Sequence, residues 1–156
     1  MEHLNELSVL RKLAAVLIGS ILCGTSAFAG WQIPAQPQAR AEIVYTDNGS
    51  TPFDLMCAHN IVLYLKYPGK ETSGNVTIAI SNGKKTISVN GSLEKSDSGT
   101  LQFVAAWTGK STDPADQDAV MALFTSGLPL TFSAEGAQYE LPAVDAATWS
   151  KYNNAC

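Results

Sequence analysis

Cys57 and His59 stand two positions apart, an arrangement in which an imidazole would take the proton of a thiol and leave a nucleophile. The competing partner for Cys57 is Cys156, the last residue. In an oxidising compartment two such thiols join, and a pair this far apart reads as one disulfide rather than a redox Cys-x-x-Cys motif. The bridge is the expectation, contributing about 4–5 kcal/mol in the chain-entropy picture for a loop of roughly 100 residues. Asp113, Asp116 and Asp118 invite a calcium reading, yet they lack the glycine and terminal glutamate of an EF-hand loop. Carboxylates in the first turn of a helix are expected from its dipole alone. Apart from His3, His59 is the chain's sole histidine, which removes any two-histidine metal face. There is no Gly-x-Ser-x-Gly elbow, phosphate loop, dinucleotide fingerprint or zinc pattern. No catalytic residue, metal or cofactor is expected.

The compartment follows from the N-terminus. Arg11 and Lys12 precede the apolar run Leu13–Cys23, and Ala27-Phe28-Ala29 forms a small-x-small cleavage site. That pattern is a secretory signal peptide over residues 1–29. Its apolar run is too short for a transmembrane anchor, which needs roughly 20 residues. Leu22 before Cys23 does not fit a lipoprotein signal. Cleavage would leave Gly30–Cys156 periplasmic or secreted, with Cys23 removed. The formal net charge is −4, from 14 acidic and 10 basic residues. The charges are dispersed, and no basic stripe exists to neutralise phosphates, so nucleic acid is not an expected partner.

Residues 30–41 hold Pro34 and Pro37 without hydrophobic periodicity and read as an extended arm, followed by one β-rich domain over 42–156. Glu42–Thr46 reads as a strand ended by the turn Asp47-Asn48-Gly49-Ser50, and Asn60–Tyr67 as a stronger one. Val76, Ile78 and Ile80 alternate with polar or small residues, and after Asn82-Gly83 the pattern resumes at Ile87 and Val89. Asn-Gly there predicts a two-residue hairpin turn, and Asn90-Gly91 a second reversal. Thr100–Trp107 is a further strand. Then the period lengthens: Asp113-Pro114 opens a helix whose Val120, Leu123 and Phe124 share a face, with Gly127 as terminator. A second hairpin turns at Glu135-Gly136, and Asp145 caps a short helix carrying Trp149 and Tyr152 on one side. The predicted fold is mainly β: an antiparallel β-sandwich or open barrel with two short helices and one disulfide. Among the aromatic residues, Trp31 on the arm is the one expected to be exposed.

Ser133-Ala134-Glu135-Gly136-Ala137-Gln138-Tyr139 resembles the Ser-Ala-x-Gly-x-x-Tyr stretch of the C-type lysozyme inhibitors of bacterial envelopes. Trp149-Ser150-Lys151 is similar to that family's Trp-Ser-Lys, while Gln138 and Tyr152 stand where the family has a basic residue and a glycine. The resemblance implies that Ser133 enters a lysozyme cleft with Tyr139 and Lys151 in support. In layout, the C-terminal half also resembles the invasion-associated locus B class of small exported β-sandwich proteins. The expected function is a non-enzymatic binding protein of the bacterial envelope with an unidentified protein partner. The alternative is inhibition of lysozyme through the Ser133–Tyr139 hairpin.

Overall fold

The computed structural model describes residues 29–35, 40–58, 60–107 and 114–156. The proposed leader up to residue 28, His59 and Asp113 lie outside the described residues, as does the side chain of Asp116.

Among the described residues, nine antiparallel strands form one sheet, curled into a half-barrel, with two helices. They are β1 (Gly30–Gln32), β2 (Ala41–Asp47), β3 (Ser50–Cys57), β4 (Ile61–Lys66), β5 (Gly74–Ser81), β6 (Thr86–Lys95), β7 (Leu101–Trp107), α1 (Pro114–Phe124), β8 (Leu130–Ala134), β9 (Ala137–Leu141) and α2 (Ala146–Ala155). The order across the sheet is β1-β2-β3-β4-β7-β6-β5-β8-β9. Of the two predicted architectures, the open barrel is the one realised.

Strand alternation builds the interior. Ile43, Phe53, Leu55, Leu63, Leu65, Phe103, Ile78, Ile80 and Phe132 are each at most 1% exposed, so six strands feed one continuous core. Burying each such side chain favours folding by about 1.5–3 kcal/mol. The helices complete the core with Val120, Leu123 and Phe124 from α1 and Trp149 and Tyr152 from α2. Edge-to-face aromatic contacts link the pieces: Phe53 to Phe124 at 5.3 Å, and Phe124 to Trp149 at 6.5 Å between ring centroids. Trp149 and Tyr152 pack together at 5.2 Å, as their spacing predicts.

The caps and the bridge form as expected. Asp145 is the N-cap of α2, its Oδ1 accepting from the Thr148 amide at 2.8 Å. Gly127 takes the left-handed conformation, φ 67°, just past α1. Cys57 and Cys156 are disulfide-bonded with Cα atoms 5.5 Å apart, pinning the end of α2 to β3. Among the described residues no helix is long and apolar enough to cross a membrane.

Four expectations need correction. Strand β3 has no counterpart among the predicted strands, because Pro52 and Asp54 interrupt its apolar pattern; Asn48 and Gly49, both at positive φ, fold it back on β2 as a tight hairpin. The β5–β6 turn is longer than two residues, since Ser81 pairs with Thr86 around the loop Asn82–Lys85. Asn82 Oδ1 accepts from the Lys84 and Lys85 amides. The longer loop keeps Lys85 in solvent and sets Ile87 opposite Ile80, whereas a two-residue turn would set Lys85 there. Asn90-Gly91 is no reversal but the middle of β6. Finally, Trp31 is not a freely exposed arm residue. Gly30–Gln32 pairs with β2, and the Trp31 ring lies half-buried against Tyr45 and Phe53.

Candidate functional site

The β8–β9 hairpin carries two of the three residues singled out from sequence. It turns at Glu135 (φ 51°) and Gly136 (φ 79°), so Ser133 pairs with Gln138 and Phe132 with Tyr139. Adjacent positions point to opposite faces of a strand. Ser133 therefore sits on the outer face, half-buried and paired on its other side with Ala79 of β5. Tyr139 faces inward, its ring stacked on Phe132 at 5.2 Å and its hydroxyl donating to the Pro52 carbonyl at 3.4 Å. Burial pushes the Tyr139 phenol above its ordinary range. Lys151 lies on the exposed side of α2, between the buried Trp149 and Tyr152. The fold thus puts Ser133 and Tyr139 on different faces of the sheet.

The hairpin tip is held in place. The Tyr67 hydroxyl donates to Glu135 Oε1 at 2.7 Å, and the Lys70 amide donates to Oε2 at 2.8 Å. These donors hold the Glu135 carboxyl below the usual carboxylate range. Burial, then Glu135 itself, pushes the Tyr67 phenol up to about 12.

On the outer face of β3, Asp54 stands between Val44 and Tyr64 of the neighbouring strands. It is half-buried, and its Oδ1 is buried without a hydrogen-bond partner. Burial pushes its pKa up to about 7, the Glu42 charge adding to the rise and Arg40 opposing it. Such a carboxyl exchanges its proton near neutrality, a property met at functional sites. Among the described residues, no group of three His, Cys, Asp or Glu side chains could hold a metal ion.

Two open grooves mark the same outer face. The larger, about 820 Å³, lies where β6 parts from β7. β6 pairs with β7 only over Ser92–Lys95, opposite Leu101–Val104, while its earlier residues follow β5. Gly91 permits this bend: a Cβ there would collide with the Val104 carbonyl oxygen and come within 2.6 Å of the Phe103 ring. Asn75, Thr77, Asn90, Ser92 and the acidic Glu94 line one wall, with Val104 and Ala106 on the other. Thr77 Oγ1 donates to Asn90 Oδ1 at 2.6 Å, fixing that amide. The smaller groove, about 510 Å³, sets Lys66 among Thr51, Ser96, Ser98, Thr100 and Gln102.

Sequence reasoning missed both Asp54 and the groove. An aspartate flanked by Phe53 and Leu55 was a legible signal for the first. The groove depends on Gly91, whose pairing with Asn90 mimics a turn motif. Compared with known proteins, the chain matches no family, no characterised protein and no solved structure.

Proposed function

We propose that the protein is a small exported binding protein of the bacterial cell envelope, periplasmic or secreted, that engages another macromolecule without transforming it. Export is supported by the leader-like residues 1–29 and by the Cys57–Cys156 bridge, since such bridges persist in oxidising compartments. The observation that carries the binding reading is the groove beside Gly91. It is open, shaped by the backbone, and lined by Asn75, Thr77, Asn90, Ser92 and Glu94. Amides and hydroxyls, with the single carboxylate Glu94 accepting from Ser92 Oγ at 3.4 Å, bind by directional hydrogen bonds, which suits a polar surface rich in hydrogen-bond donors.

The test is to express the full chain in a bacterial host, recover the processed protein and measure its binding to isolated envelopes. Processing to Gly30 and saturable binding lost in Thr77→Lys are expected. Absence of saturable binding defeats the reading, and binding unaffected by Thr77→Lys moves it away from the groove.

The lysozyme-inhibitor reading stands second, supported by one feature: Ser133 lies on the outer face, close to the exposed tip of the β8–β9 hairpin. Titration against a C-type lysozyme clearing cell walls tests it. Stoichiometric inhibition weakened by Ser133→Ala would favour it, and no effect at large excess removes it.

A further inference from the structure

β1 is three residues long and is held by unusually specific contacts for so short an element. Gly30, Trp31 and Gln32 pair with Thr46, Tyr45 and Val44 of β2. The Trp31 ring packs edge-on against Tyr45 at 5.1 Å and Phe53 at 5.0 Å. Its Nε1 donates to the Pro142 carbonyl at 3.0 Å, just past β9, and Gln32 Nε2 donates to Thr46 Oγ1 at 3.0 Å. β1 and β9 are the two ends of the sheet and do not pair with each other. Trp31 therefore fills a slot between the edge of β2 and the end of β9. Its floor is Phe53, itself 1% exposed.

We propose that this slot is a peptide-binding site, occupied here by the chain's own N-terminal strand and able to take the same strand from a second copy, so that two copies exchange arms. The slot asks for an extended segment that supplies main-chain hydrogen bonds to β2, an aromatic ring with an N–H at its second position and an amide at its third. Gly30-Trp31-Gln32 of another copy meets each demand with identical contacts, so exchange sacrifices none of them. The connecting residues 33–40 span up to about 26 Å when extended, at roughly 3.3 Å per residue. The inference goes beyond the proposed function and is independent of what the groove beside Gly91 binds.

Gly30 faces Thr46 directly, and a Cβ at Gly30 meets nothing within 4 Å. Facing Cα atoms in antiparallel strands lie about 4.5–5.5 Å apart, within disulfide range. The experiment mixes two full-length chains of different tag mass, one Gly30→Cys and the other Thr46→Cys, under mild oxidation. A concentration-dependent heterodimer linked through positions 30 and 46, identified by mass spectrometry, is expected. Moving the second chain's cysteine from Thr46 to the exposed Ser88 of β6, which does not face β1, should lower the yield at least roughly tenfold, because only chance collision then links the two chains. The double variant Gly30→Cys/Thr46→Cys should close within one chain and suppress dimers. Closure within one chain without any heterodimer in the mixture overturns the exchange. Failure of the double variant to close, or an equal heterodimer yield with Ser88→Cys in place of Thr46→Cys, overturns the slot itself.

Discussion

Replacing Asp54 by asparagine should change how stability depends on pH more than it changes the fold. In the folded protein the Asp54 carboxyl is pushed from 3.8 up to about 7, burial being the main cause. An unfolded chain releases this proton near pH 4, so between about pH 4 and 7 the folded state binds more protons than the unfolded one. Stability therefore falls as pH rises through that window and levels off above it. At 1.36 kcal/mol per pKa unit the ceiling is about 4 kcal/mol. Part of the carboxyl meets solvent, which screens it, and halving the ceiling leaves about 2 kcal/mol. An asparagine amide does not titrate, so Asp54→Asn should gain about 2 kcal/mol relative to wild type between pH 3.5 and pH 8. Any cost of seating that amide is independent of pH and cancels from the difference. Urea unfolding at half-unit pH steps reads it, as a relative midpoint shift of about 1 M for a slope near 2 kcal/mol/M. Parallel curves for the two proteins from pH 4 to 8 would show that Asp54 is effectively solvated, and the reasoning from its burial would fail.

Three further outcomes test the frame that holds these sites. Gly91→Ala should cost about 2 kcal/mol, because its methyl group meets the Val104 carbonyl and the Phe103 ring, which is 2.6 Å away; a variant melting within a degree of wild type would contradict the close approach of β6 and β7. Cys156→Ser should lower stability by about 3–5 kcal/mol, since the bridge closes residues 99 apart in sequence. A loss below 1 kcal/mol by urea titration would mean that the unfolded chain gains little freedom without the bridge. Phe53→Ala should cost about 3–5 kcal/mol, and because Trp31 rests on that ring at 5.0 Å, it should also redden the fluorescence of Trp31. Unchanged emission would place Trp31 elsewhere.

Several elements were legible from local chemistry alone. The Asp145 cap, the Gly127 terminator, the turn at Glu135-Gly136 and the pairing of Trp149 with Tyr152 each depend on a few neighbouring residues, and each appears as expected. The disulfide was legible for a different reason: with Cys23 assigned to the expected leader, Cys57 and Cys156 allow one connectivity.

The rest was decided by residues far apart in the chain. Asn-Gly has the same local preferences wherever it occurs, yet it makes a tight turn at Asn48-Gly49, part of a longer loop at Asn82-Gly83 and a bend within a strand at Asn90-Gly91. The choice at each rests on the register that buries Ile78, Ile80 and Phe103, which only the assembled sheet fixes. Asp54 illustrates the same division. Its residue type was plain from the sequence, but its raised pKa comes from the strands beside it, because desolvation depends on what surrounds a charge and not on its neighbours in the chain. Local hydrogen-bonding preference determined the Glu135-Gly136 turn, the Asp145 cap and the helix ends; long-range burial decided register, the outcome at each Asn-Gly, the groove beside Gly91 and the slot around Trp31.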